Sequence, residues 1–229
     1  MKIAIATWNV HAGVGLDRRY DAARIARVIR DLRADVIALQ EMLFGGARDL
    51  GAFLEREFGG HLLHAPTHAR GVGEFGNALW SRFPIQCATV HNLTVEHREA
   101  RNLLDASLHC DGKHLRVLAT HLGLNRHERA RQIERVLAIV QAEEHQVEGT
   151  ILLGDFNEAR QRSVALSAVH AQFGGAKLSP RTFPSLFPAL ALDRIWVAPA
   201  HGLLERRVYD THMARFASDH LPLRAFIAI

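Results

Sequence analysis

Short apolar runs alternate along this chain with stretches whose apolar positions recur at helical spacing. Residues 3–8 predict a strand, and Asn9-Val10-His11-Ala12-Gly13 leaves it as a polar loop. Asp21 is a candidate N-cap for a helix whose apolar positions are Ile25, Val28, Ile29 and Leu32. Asp35 then leads into Val36-Ile37-Ala38-Leu39, a second buried strand that ends in Gln40-Glu41. Strand, helix and strand in such short order predict a crossover unit whose strands are neighbours in one sheet.

The pattern continues with a helix carrying Leu50, Phe53, Leu54 and Phe58, then strands at 61–64, 78–80 and 85–90. Ser81-Arg82-Phe83-Pro84 reads as a hairpin turn, and residues 91–101 as a polar surface loop. Strands at 103–109 and 115–120 flank Asp111-Gly112, a strong hairpin signal. A long helix follows, with Ile133, Val136, Leu137 and Val140 inside and Arg126, Arg129, Arg131 and Arg135 among its exposed residues. Ile151-Leu152-Leu153 predicts a buried central strand, with Gly154 letting the backbone turn out of it. Asp155 and Asn157 then share one side of an extended exit while Phe156 turns into the core. Residues 163–170 predict a helix, Pro180, Pro184 and Pro188 an irregular loop, and 191–197, 203–209 and 223–229 the last strands.

Composition narrows the class. With 229 residues, 48% hydrophobic and 23% charged, the chain can bury a full core, and residues 1–229 read as one catalytic-sized domain without a linker. No apolar run approaches membrane-spanning length, and the first nine residues turn polar too soon for a signal peptide. Cys87 and Cys110 form no disulfide framework and no CxxC pair, which predicts reduced thiols and a cytoplasmic protein. The net charge of +4 permits an anionic substrate without arguing for nucleic acid.

Polar residues recur where these strands end or begin: Asn9, Glu41, His121, Asp155 with Asn157, Asp193, and Asp219 with His220. In a layered α/β protein such ends converge on one rim. The hard oxygen donors Glu41, Asp219 and Asn9 suit Mg²⁺. No thiolate cluster or HExxH argues for zinc, and the absence of GxxxxGK[ST] and GxSxG removes P-loop hydrolases and serine α/β-hydrolases. Each feature has a plainer reading beside it. Asp155-Phe156-Asn157 is also an ordinary polar turn, and Asp193 with His220 a structural polar pair. The number of such strand ends favours a site.

Thr7-Trp8-Asn9-Val10-His11, Leu39-Gln40-Glu41, Gly76-Asn77-Ala78-Leu79, Thr120-His121-Leu122, Gly154-Asp155-Phe156-Asn157, Leu192-Asp193-Arg194-Ile195 and Ser218-Asp219-His220-Leu221 run in the order of a known family's motifs. Together they resemble the endonuclease/exonuclease/phosphatase superfamily, the deoxyribonuclease I-like fold, over essentially the whole chain. The resemblance implies a four-layer α/β sandwich, two mixed β-sheets packed face to face and flanked by helices. It implies phosphoester hydrolysis with a divalent metal, Mg²⁺ or else Mn²⁺, by in-line attack of water on phosphorus. Glu41 is similar to the family's principal metal ligand, with Asn9 and Asp219 around the same ion. Asp155 and Asn157 match the pair that orients the water and the phosphate. His220 matches the histidine at the scissile phosphate and Asp193 the carboxylate behind it. His121 stands at a position that is His in some branches and Tyr in others, and Asn77 matches a loop residue near the substrate.

Three positions keep two readings: His11 as phosphate contact or loop residue, Arg101 as phosphate contact or solvated cation, Glu74 as partner of His121 or exposed acid. The segment Asn9-Val10-His11-Ala12-Gly13 looks more like uncharacterised bacterial and lipid- or phosphatase-related branches than abasic endonucleases. The expectation is therefore a monomeric, cytoplasmic phosphodiesterase without a transmembrane segment, its phosphoester substrate a small molecule or lipid headgroup, with nucleic acid the alternative. The rival activity is a DNA endonuclease or exonuclease, including an abasic-site nuclease. The rival outside catalysis is a binding module on the same fold. A substrate panel separates the enzymes, and chelator-sensitive turnover of a generic phosphodiester separates enzyme from module.

Overall fold

The long apolar strands have no polar face because both of their faces are covered. In β1 (Lys2–Asn9), Ile3 and Ile5 point into one apolar cluster while Ala6 and Trp8 point into another. The same alternation divides β2 (Val36–Phe44), with Val36 and Ala38 on one side and Ile37 and Leu39 on the other. The structure, a computed structural model, describes residues 1–142, 147–175 and 178–229.

Along the chain follow α1 (Ala22–Leu32), α2 (Leu50–Phe58), β3 (His61–Arg70), β4 (Gly73–Ser81), β5 (Ile85–Asn92), β6 (Asn102–Cys110), β7 (Lys113–His121), α3 (Arg126–Ala142), β8 (Gly149–Asp155), α4 (Val164–Gln172), β9 (Asp193–Ala198), β10 (Leu203–Val208), α5 (His212–Ala217) and β11 (Leu223–Ala228). They build a six-stranded sheet ordered β10-β11-β1-β2-β4-β3 and a five-stranded sheet ordered β5-β6-β7-β8-β9. Each sheet is mixed: β1 and β2 are parallel, as are β7 and β8, and the other pairs are antiparallel. Ile3, Ile5, Val117, Ile151, Leu153 and Ile195 meet in the core between the sheets. Apolar residues of α1, α2 and α5 cover the outer face of the first sheet, those of α3 and α4 the outer face of the second. The result is the four-layer α/β/β/α sandwich that the motif order implied.

Local chemistry fixes the element ends. Asp21, Asp49, Ser163 and Thr211 each accept a backbone N–H three residues on, capping α1, α2, α4 and α5. Asp111 (φ 49°) and Gly112 (φ 84°) make the left-handed turn of the β6–β7 hairpin.

Several expectations need correction. Residues 81–84 are no hairpin turn: β4 lies in one sheet and β5 in the other, and the chain crosses between them there. Phe83 is buried in the intersheet core at that crossing, and the Arg82 amide donates to Asp35 O. Gly154 does not end β8. It stays in ladder with Thr120 of β7, and a Cβ built on it would stand 1.9 Å from the Thr120 carbonyl oxygen. Glycine is needed there for close backbone approach. Strands β2, β3 and β4 run several residues past their apolar segments, and α5 went unpredicted because a helix this short has little periodicity. Arg129 is buried, its guanidinium 3.1 Å from Glu158.

Candidate active site

One edge of the sandwich collects the C-terminal ends of β1, β2, β7 and β8 with the segments that enter β9 and β11. Parallel pairing puts the ends of β1 and β2 side by side, as it does those of β7 and β8, where His121 lies opposite Asp155. A β-bulge interrupts the β2–β4 ladder between Leu39 and Met42, and within it Glu41 takes a left-handed conformation (φ 58°). A non-glycine residue in that region is uncommon, and the bulge re-aims its carboxylate out of the ladder. Asn157 is also left-handed (φ 50°), which an asparagine tolerates well.

Asp155 is the hub. Its Oδ2 lies 3.2 Å from Asn9 Nδ2, 3.6 Å from His121 Nε2 and 3.7 Å from His220 Nε2. Its Oδ1 accepts the Asn157 amide N–H at 2.9 Å. Asn9 Nδ2 also donates to Glu41 Oε1 at 2.9 Å, so one amide steers both carboxylates. Asp193 Oδ2 bonds His220 Nδ1 at 2.9 Å, and both residues are buried. Asn157 Nδ2 donates to Leu122 O at 2.9 Å and stands 3.1 Å from His121 Nε2. The segment Ser218-Asp219-His220 is tied down on three sides: Ser218 Oγ donates to Asn9 O, Trp8 Nε1 donates to His220 O, and the Ser185 amide donates to Asp219 O.

The electrostatics separate the two histidines. Burial works to lower the His220 pKa, but the charges of Asp193, Asp155 and Asp219 outweigh it and raise it to about 10. His220 is thus an imidazolium at neutral pH. Burial instead dominates at His121, and with Arg101 and His220 nearby it lowers the pKa to about 3 despite Asp155. His121 is therefore neutral. Burial, followed by the charges of Asp219 and Asp155, raises the pKa of Glu41 although Asn9 donates to it.

Among the residues singled out from sequence, Asn9, Glu41, Arg101, His121, Asp155, Asn157, Asp219 and His220 line one cleft of about 600 Å³, with Asp193 buried behind His220. Arg101 is buried rather than solvated and reaches the cleft with Glu99 bonded to it at 2.8 Å. His11 stays at the margin, half exposed, its Nδ1 3.9 Å from Asp219. Asn77 is not among the residues that line the cleft. Its buried amide donates to Asn102 Oδ1 at 2.8 Å, linking β4 of one sheet to β6 of the other. Glu74 is exposed on β4 and outside the cleft lining, while the nitrogens of His121 face Arg101, Asn157 and Asp155.

The cleft wall adds His68, Arg70, Phe75, Leu124, Phe183 and Leu192. Phe183 packs its ring 4.8 Å from that of His220. Of the wall residues, Leu192 stands in the Leu192-Asp193-Arg194-Ile195 motif; Arg70 near a hairpin tip and Phe183 in a proline-rich loop have no periodic signal to mark them.

A family model described as the endonuclease/exonuclease/phosphatase family matches residues 6–220. An uncharacterised Escherichia coli protein, YbhP, is 30% identical over 97% of this chain and 95% of its own length. A solved endonuclease/exonuclease/phosphatase from Beutenbergia cavernae superposes with a TM-score of 0.80 over 100% of this chain and 72% of that one, at 23% identity. The mannosyl-6-phosphatase Bt3783 of Bacteroides thetaiotaomicron superposes with a TM-score of 0.74 over 99% of this chain and 100% of its own, at 16% identity.

Proposed function

This chain belongs to the endonuclease/exonuclease/phosphatase family, whose members hydrolyse phosphoesters, and we propose that it is a Mg²⁺- or Mn²⁺-dependent phosphodiesterase for a compact substrate rather than for duplex DNA. The observation that carries the reading is the cationic His220, gripped by Asp193 at 2.9 Å and facing Asp155 at 3.7 Å beside a half-buried Glu41. A fixed positive donor in the cleft suits a phosphoryl group that gains negative charge as it reacts.

The donor set fits a hard divalent ion. Burial, with the charges of Asp219 and Asp155 added to it, raises the Glu41 pKa, and a cation beside Glu41 would offset both. Glu41 and Asp219, with Asn9 beside them, are the residues that would hold it. Ligand atoms of Asp155, Asp193 and His220 also lie within 4.8 Å of one another. That trio suits a metal poorly, because an imidazolium bonded to Asp193 and facing Asp155 has no lone pair to offer. When bound, the ion supplies charge neutralisation at the phosphoryl oxygens.

The chain's own groups account for the remaining steps. His220 Nε2–H donates to a phosphoryl oxygen, and Asp193 keeps that proton on the ring. Asn157 and the neutral His121 orient the phosphate and the water. Asp155 accepts a proton from the attacking water as the water oxygen bonds to phosphorus and the opposite P–O bond breaks. The leaving alkoxide takes up a proton from solvent. The cleft's volume of about 600 Å³ and its wall of Phe75, Leu124, Phe183 and Leu192 favour a diester with an apolar flank. The two free thiols support a reducing, cytoplasmic setting.

The experiment is a substrate panel with Mg²⁺ or chelator: a chromogenic diester, phospholipids, sugar phosphates, duplex DNA and abasic DNA. Chelator-sensitive hydrolysis of small diesters, and its loss in Asp155→Asn, is expected. Hydrolysis confined to monoesters or to DNA would overturn the substrate class, and no turnover of any substrate would overturn the enzyme.

A further inference from the structure

Three loop tips that surround the cleft each carry a large apolar side chain in water. Val72, at the tip of the β3–β4 hairpin, is 91% exposed. Leu124, in the loop leaving β7, is 76% exposed, and Phe187, in the loop before β9, is 82% exposed. The topology puts all three at one edge. The β3–β4 tip lies beyond the C-terminal end of β2, because β4 runs antiparallel to β2 from there. Leu124 itself lines the cleft. The loop of Phe187 is closed by the Phe183–Leu190 bridge, so it springs from the ring that touches His220.

Around Phe187 the apolar surface widens. Leu186, Leu190 and Phe216 are each about two-fifths exposed. Arg215 of α5 donates to Leu186 O at 2.8 Å and holds this loop against the helix that carries Phe216. Isolated exposed apolar residues are ordinary, but a ring of them at loop tips around a polar cleft is not. No core contact explains a side chain that is nine-tenths in water.

Cations stand among these tips. Arg70 lines both the cleft and an adjoining groove under Val72, where Arg48 also lies. Arg126 follows Leu124 by two residues, and Arg181 precedes Phe183 by two; both are exposed. Asp155 is buried and Glu41 and Asp219 half-buried in the cleft, behind this rim. The exposed acids here are Glu74 beside the hairpin tip and Glu99 in the cleft wall, the latter paired with Arg101. Apolar tips alternating with arginines, around a recessed acidic site, match a surface that is negative outside and apolar just beneath.

We propose that the rim formed by Val72, Leu124 and Phe187 docks the protein onto an anionic lipid bilayer, with the cleft facing the headgroups. Docking of this kind does not depend on turnover. It gives the active site a surface on which a phosphodiester and its apolar flank are already concentrated.

The test is co-sedimentation of the purified full chain, in chelator, with phosphatidylcholine vesicles and with vesicles containing about 30% phosphatidylglycerol. Pelleting with the anionic vesicles alone, weakened at about 0.5 M NaCl, is expected. Val72→Asp combined with Phe187→Asp should lower the bound fraction roughly tenfold. The same protein should keep its thermal midpoint and its turnover of a soluble chromogenic diester, since neither side chain touches the cleft. A parent protein that stays in the supernatant with both vesicles overturns the proposal, as does a double variant that still pellets. Loss of a dimer rather than of vesicle binding would give the rim to a second copy and also overturn it. Because binding is read without catalysis, a protein that pellets but hydrolyses nothing refutes the proposed function and leaves the docking surface standing.

Discussion

Arg101 places Nη1 3.1 Å from Nδ1 of His121, deep in the wall of the cleft. An arginine can only donate, so Nδ1 is the acceptor and the single proton of the neutral ring sits on Nε2, facing Asp155 Oδ2 at 3.6 Å. The neighbouring Asn157 Nδ2 is a donor that spends its hydrogen on Leu122 O. Arg101 thereby selects the tautomer that a water-orienting histidine requires. In Arg101→Leu the fixed donor and one of the cationic neighbours that lower the His121 pKa are both lost, so that pKa should rise. Ring ¹⁵N shifts of labelled protein check this: the parent should show an Nε2–H ring down to about pH 3, and the variant should titrate higher. An unchanged tautomer and titration in the variant would separate Arg101 from His121.

Asp193→Asn keeps the shape behind His220 and removes the charge that holds its proton. Turnover is expected to fall by roughly two orders of magnitude or more. The alkaline limb of the rate profile should move to lower pH, as a property of the coupled site. The stability linkage has a definite sign. A histidine raised to about 10 lends stability that is complete below the unfolded value near 6.5 and is lost as pH climbs through 10. His121, lowered to about 3, does the opposite: its contribution is present above about 6.5 and is lost as pH falls towards 3. Metal-free melting across pH, in the parent and Asp193→Asn, checks the first of these directly; a variant that loses stability above neutrality as the parent does refutes it.

Glu41→Gln is expected to raise the metal requirement sharply, because a neutral amide is a poor ligand for a hard cation. Since the Glu41 pKa is raised by burial and by Asp219 and Asp155, removing its charge should leave the metal-free midpoint unchanged or slightly higher. The upward shift of that midpoint on adding Mg²⁺ should disappear. A variant that keeps the full Mg²⁺ shift would take Glu41 out of the metal site.

Gly154→Ala tests the approach of β7 and β8. The new methyl group would overlap the Thr120 carbonyl in a strand that cannot bend away, and φ 142° is open to glycine alone. A loss of about 3 kcal/mol or more in denaturant unfolding is expected. A near-neutral result would mean that the two strands separate easily, which their shared ladder argues against.

Asn77→Ala separates support from substrate contact. It strands Asn102 Oδ1 between the sheets, so unfolding should become easier by about 1–3 kcal/mol. KM should stay close to that of the parent, since Asn77 lies outside the cleft lining and its amide is bonded to Asn102. A large rise in KM with unaltered stability would put Asn77 at the substrate after all.

The parts legible in the sequence are those with a repeating physical signal. Ile151-Leu152-Leu153 announces a strand covered on both faces, and Asp21 and Ser163 announce helix starts. The acidic and amide residues at strand ends were visible because no packing demand explains them. The Glu41 bulge was not, because a bulge is a relation between two strands and β4 carries half of it. The Asn77–Asn102 bond escaped for the same reason, since the partner belongs to the other sheet. The exposed rim has no periodic signature at all, and only burial reveals that Val72, Leu124 and Phe187 have nothing covering them.

Asn9 and Glu41 lie in strands of the first sheet and Asp219 in the loop that enters its β11, while His121, Asp155 and Asp193 lie in strands of the second, so the chemistry is stitched across a seam. Two of its shortest stitches, Asn9 to Asp155 and Asp193 to His220, span that seam. The spacing of the two halves is then set well below the cleft by the side chains wedged between the sheets, such as Ile5 from the first and Ala106, Ala119 and Leu153 from the second. A sandwich built this way works as its own strain gauge. Widening the interior by a methyl group would be read out as a slackened grip on the phosphate as well as in the melting curve.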